Sequence, residues 1–210
     1  MKKAYYILGT AIVLGIFFLS SALNQAQPKF GVVDLSRIAN DSKYGKKKQE
    51  ELKAQNRKYE DVLNFIRQYP FLSKTEVTKL RDLMLADKLT PEQQTELDAL
   101  KASGQRLREE FDKLVTLQNP SEAEQKRLQQ LVIAREENAR LGSQWENTFR
   151  MNWNEMFENV RNDVYAKIRQ AVNKLGKRDG YTIIFESNTA PYAANDVTDA
   201  TLKIMDQDNP

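Results

Sequence analysis

Cysteine and histidine are both absent from the 210 residues, and glycine and proline number only 8 and 6. The first absence excludes disulfides and thiolate nucleophiles. The second removes imidazole acid–base catalysis, and together they exclude Cys/His zinc sites. A lipid-modified amino terminus is excluded as well, since it needs a cysteine. With 29% charged residues and few helix breakers, the chain reads as long helices and not as a loop-rich core. No GxxxxGK[ST] loop is present for a nucleotide. No catalytic, cofactor-binding or metal-binding residue is identified, because Asp and Glu are plentiful but gather in no predicted pocket.

Long apolar runs are lacking everywhere but at the start. Two lysines precede an apolar stretch from Ala4 to Leu19, followed by small residues at Ser20, Ser21, Ala22 and Ala26. This pattern is a secretory signal over 1–26, cut after Ala22 or Ala26. The competing reading is an uncleaved anchor, because Ala4 to Leu23 has about the 20 residues a spanning helix needs. Either way the remainder is exported.

Without Lys2 and Lys3 the chain carries 30 basic and 29 acidic residues. No uniformly basic surface results, so nucleic acid is not an expected partner. The charge is nevertheless polarised. Lys43 to Lys58 holds seven basic and two acidic residues, and Lys167 to Arg178 holds five basic and none acidic. These runs predict a cationic collar of Lys46, Lys47, Lys48, Lys53, Arg57, Lys167, Arg169, Lys174, Lys177 and Arg178. Such a collar would attract acidic segments of a partner, with transient contact to an anionic membrane surface.

Two short apolar runs, "KFGVVDL" (29–35) and "GYTIIFES" (180–187), read as strands at opposite ends of the exported chain. "APYAAN" could add an edge strand, and Asp196 with Asp199 marks the start of a closing helix. Between the strands, Ser73/Glu76, Thr90/Pro91/Gln93 and Asn119/Pro120/Glu122 are capping signals. They predict helices over 42–69, 73–87, 91–118 and 120–178. Leu52, Asn56, Tyr59, Leu63 and Ile66 recur at 4-3-4-3 spacing, a coiled-coil seam. A 59-residue helix would run roughly 88 Å, too long to be surrounded by a core.

The expected fold is therefore mostly α with a small β head (α+β): a sheet of the N- and C-terminal strands from which an antiparallel helical hairpin arm projects. The head takes 27–41 and 179–210, and the arm 42–178. Residues 42–69 would lie beside 150–178 and 91–118 beside 120–148, leaving a surplus elbow insertion near 70–90. So small a sheet cannot stand alone, which predicts oligomerisation through Phe30, Val32, Tyr181, Ile183, Phe185 and Tyr192. On the arm, Trp145, Phe149, Met151, Trp153, Met156 and Phe157 are the candidates for binding a partner chain, as Met-bearing surfaces suit promiscuous contact.

Two segments, "GVVDLSRIANDSKYGKKKQEEL" and "GYTIIFESNTAPYAANDVTDATLKIMD", resemble the OmpH-like (Skp) periplasmic chaperones. The order of signal, strand, helical hairpin, strand and helix fits that family, with extra residues around 70–118. The resemblance implies a jellyfish-like homotrimer whose arms enclose unfolded outer-membrane proteins, preventing their aggregation in the periplasm without ATP, cofactor or enzymatic activity. The alternative is a membrane-anchored coiled-coil spacer of the cell envelope.

Overall fold

The computed structural model describes residues 27–190 and 195–209. The expected signal or anchor over 1–26 and the interface candidate Tyr192 lie outside them. Two compact units are present, Met1–Ser42 with Lys167–Pro210 and Lys43–Ala166.

In the first unit, strand β1 (Phe30–Val33) pairs in parallel with β2 (Ile183–Glu186), Phe30 opposite Ile183 and Val32 opposite Phe185. Strands this far apart in sequence can pair in parallel because a long connection is available to bring the chain round. On the other side of β1, the Val32 amide donates to Asn195 O at 2.9 Å and the Val197 amide to Val32 O at 2.8 Å. These two bonds flank a single parallel bridge to Asp196, and most of the expected third strand, residues 191–194, is outside the described residues. The expected strand to Leu35 is too long. Asp34 ends it by accepting the Arg37 amide at 2.8 Å, so it N-caps a short helix, α1 (Leu35–Asp41). Ile38 of α1 is fully buried, as are Ile168, Leu175 and Met205 of the same unit.

The second unit holds α2 (Lys43–Gln68), α3 (Lys74–Leu85), α4 (Pro91–Leu114) and most of α5 (Glu122–Asp179). Ser73 and Glu76 close a capping box on α3, and Thr90 and Gln93 one on α4 with Pro91 at its first position. The α5 cap differs from expectation. Ser121, not Asn119, accepts the Glu124 amide at 3.3 Å, while the Glu124 carboxylate accepts the Ser121 amide at 2.7 Å. At its far end α5 stops at Gly180, whose φ of 70° is the left-handed conformation that favours glycine, and the Tyr181 amide closes back on Gly176 O at 3.0 Å.

Residues 70–90 are not a surplus elbow. Leu72, Val77, Leu80 and Leu83 join Val62, Ile66, Leu97, Trp145 and Phe149 in one buried cluster. The register along α5 also differs from the expected 150–178. Tyr59 stacks on Phe149 at 4.3 Å between centroids, Ile66 faces Gly142, and the Tyr44 hydroxyl donates to Asp163, so α2 lies beside 142–163. Burial of Trp145 and Phe149, two of the large aromatics of α5, under α2 and α3 accounts for the shift. Val62, outside the expected seam, is fully buried because α3 widens the apolar contact beyond one stripe.

Asn138 of α5 is buried, and its amide donates to Pro70 O at 2.9 Å and Leu72 O at 2.8 Å, tying the α2–α3 link to the long helix. Asn138→Ala is expected to lower stability by about 2 kcal/mol, because these inward carbonyls lose their donor. Urea unfolding followed by circular dichroism measures it, and an unchanged midpoint would show that the link is held otherwise.

Candidate functional site

The six residues proposed for partner binding divide by burial. Trp145 is 7% exposed and Phe149 6%, and both belong to the buried cluster, which corrects their assignment to a binding surface. The Arg81 guanidinium lies over the Trp145 ring, 4.7 Å from its centre, and covers that face. Met151, by contrast, is 63% exposed and Phe157 45%. Trp153 and Met156 are half-buried. Periodicity placed these aromatics along one helix, but the direction of the core picks out two for packing and leaves four reachable.

Met156 also lines a groove of about 380 Å³ with Asn152, Asn159, Val160, Asp163 and Lys48 among its walls. The Tyr44–Asp163 hydrogen bond beside it raises the phenol above its ordinary pKa, which keeps the Tyr44 hydroxyl a neutral donor. Lys48 is tied to Glu51 at 2.8 Å, and that bond raises its pKa too. With Glu155 also in its lining, the groove offers two amides, two carboxylates and the Met156 thioether.

The ten collar residues come from both units. In the Lys43–Ala166 unit, Lys48 and Lys53 are paired with Glu51 and Glu50, each at 2.8 Å. Lys46, Lys47 and Arg57 are exposed and form no ion pair among the described residues. In the other unit, Lys174 pairs with Asp208 at 2.7 Å and Arg178 with Asp179 at 2.6 Å. Lys167, Arg169 and Lys177 form no ion pair among the described residues. Four of the ten are therefore neutralised locally. Their partners sit one or three residues away, or on the closing helix α6 (Thr198–Asp208), a fact that counting charge over a run does not capture.

On the sheet, Phe30 is 44% exposed, Ile183 45% and Phe185 37%, with the Phe30 and Phe185 rings 6.3 Å apart. Val32 shares their face by register but is itself buried, so it is not available to a neighbour. Tyr181 is half-buried, its ring under the Lys29 ammonium at 4.0 Å and against Gly31, where an added Cβ would stand 3.0 Å from Cε1. It supports the sheet from within the chain. At the start of α6, the Thr198 hydroxyl and then its amide, at 2.9 Å, donate to Asp196 and hold its carboxyl below the ordinary range. Asp199 instead meets Arg37 at 2.7 Å, so the two aspartates do not act as a joint cap.

Val115, Leu117 and Ile133 are exposed apolar residues that the periodicity did not single out. A usable signal was present for the first two: Leu114 to Ser121 is an uncharged run in a chain that is otherwise 29% charged. Among the described residues no helix is long and apolar enough to cross a membrane.

The protein-family model described as Outer membrane protein (OmpH-like) matches residues 74–207, more than half of the chain. That span contains the carboxy-terminal segment on which the resemblance rests and most of 70–118, but not the amino-terminal segment. No curated protein and no solved structure matches the chain.

Proposed function

Because the chain belongs to the OmpH-like family of outer membrane proteins, we propose that it is an ATP-independent holdase that keeps unfolded outer-membrane proteins from aggregating in the periplasm. Family membership indicates the broader role, chaperone-like action toward outer-membrane proteins in the periplasm. The observation that carries the finer reading is the exposure of Met151 and Phe157 beside half-buried Trp153 and Met156 on one stretch of α5. A chain that must release its client without nucleotide needs weak contacts at many points, and scattered soft apolar side chains supply them. In this reading residues 1–26 direct export. Residues 27–41 and 179–210 form the head, which assembles three copies through Phe30, Ile183 and Phe185, and 42–178 form the arm. Lys46, Lys47 and Arg57 on the arm, and Lys167, Arg169 and Lys177, attract acidic client segments from a distance.

The test mixes the protein with an unfolded outer-membrane β-barrel and follows aggregation by light scattering. Suppression at sub-stoichiometric client is expected, and its absence sinks the holdase reading. Salt separates the two contributions. The screening length contracts from about 10 Å at 0.1 M to about 3 Å at 1 M, whereas apolar contact is not screened. Stopped-flow capture should therefore slow with salt while most equilibrium protection persists. Protection that vanishes at high salt with unchanged association rates would make holding electrostatic and remove Met151, Met156 and Phe157 from the client surface.

A further inference from the structure

We propose that Arg150, Trp153 and Phe157 on α5 form a docking stripe for extended client segments that carry a carboxylate two residues from an aromatic side chain. The inference rests on the holdase reading and names the client chemistry that this surface selects. The three positions step by three and four residues and so share one side of the helix, continued by Arg161 four residues on. Phe157 is 45% exposed and Trp153 half-buried, leaving aromatic surface reachable beside the guanidinium groups.

The charge at the two ends is unequal. Arg161 is paired with Glu158 at 2.6 Å, while Arg150 donates only to the neutral Asn147 Oδ1 at 2.9 Å and meets no carboxylate among the described residues. A guanidinium in this condition can take a carboxylate through two parallel hydrogen bonds. Geometry then locates the aromatic partner. In an extended chain, side chains two residues apart lie on one side about 7 Å from each other. Along α5, Trp153 stands about 4.5 Å and Phe157 about 10.5 Å beyond Arg150. A carboxylate seated on Arg150 thus brings the next same-side residue between the two rings, where an aromatic can pair with both. Strands of outer-membrane barrels carry aromatic girdles at both ends, which makes such segments available in the unfolded client.

The test uses the full exported chain and two dye-labelled peptides of about ten residues, the length of one barrel strand. One repeats Asp-x-Phe, and in the other Lys replaces Asp. Fluorescence anisotropy at low salt should show the Asp peptide binding about fivefold tighter. Arg150→Glu should abolish or reverse that preference, and Phe157→Ala should weaken both peptides. Both side chains face solvent, so circular dichroism should be unchanged. Equal binding of the two peptides by the wild type, or a preference that survives Arg150→Glu, overturns the proposal. So does peptide binding absent where phosphatidylglycerol vesicles bind, which would assign the stripe to lipid. Aggregation assays run beside these keep the two readings apart. If the wild type suppresses aggregation without discriminating the peptides, only the stripe is wrong, and if it suppresses nothing, both readings fall.

Discussion

Protein carrying both Ile183→Asp and Phe185→Asp is expected to behave as a monomer in multi-angle light scattering while keeping its helical circular dichroism. Ile183 is 45% and Phe185 37% exposed, with Phe30 alongside, so within one chain their replacement removes only the covered part of their packing. Between chains the outcome differs. Each fully buried Ile or Phe contributes about 1.5–3 kcal/mol, and an unpaired carboxylate in its place adds a desolvation cost of several kcal/mol. A two-stranded sheet is marginal by itself, which makes assembly the natural use of this face. A sheet too small to stand alone would by itself let the head melt as well. The structure separates the two effects, because Val33 and Ile38, on which the unit's own packing depends, are buried and untouched by the substitutions. An unchanged oligomeric mass would show that the sheet is not the assembly element.

Deleting 73–87 is expected to unfold the Lys43–Ala166 unit, and Leu80→Ala alone to destabilise it by about 3 kcal/mol. Leu80 is fully buried in the cluster that joins α2, α3, α4 and α5. Its truncation leaves a cavity that the surrounding helices can close only in part. For a unit of this size the loss corresponds to a fall in melting temperature of roughly 10 °C, read by far-ultraviolet circular dichroism. A deletion variant that melts cooperatively at the wild-type temperature would restore 70–90 to the status of a surplus insertion.

The helix starts were legible where a side chain and a backbone group three residues apart satisfy each other, as at Ser73/Glu76 and Thr90/Gln93. Two were misread for local reasons. Asn119-Pro120 and Ser121/Glu124 are both acceptable starts in sequence, and the chain uses the second because serine and glutamate satisfy each other's backbone amides. Asp34 was hidden in an apolar run that appeared to continue to Leu35, although its spacing to the Arg37 amide is that of a cap. The candidate surfaces were legible as sets and not as individuals. Trp145 and Phe157 belong to the same aromatic-rich stretch, yet one is buried and the other open.

By itself the sequence determined the mostly helical architecture, the pairing of its terminal strands, the absence of thiol and imidazole chemistry, and the resemblance to OmpH-like proteins. All of these follow from residue type, local periodicity and order along the chain. Only the tertiary structure decided that α3 is core, that α2 lies beside 142–163, that Val32 is sealed while Ile183 and Phe185 stay partly exposed, and that four collar cations are neutralised. The reason is physical: a helical or strand period states which side chains share a face, but burial and charge pairing depend on which other segments cover that face.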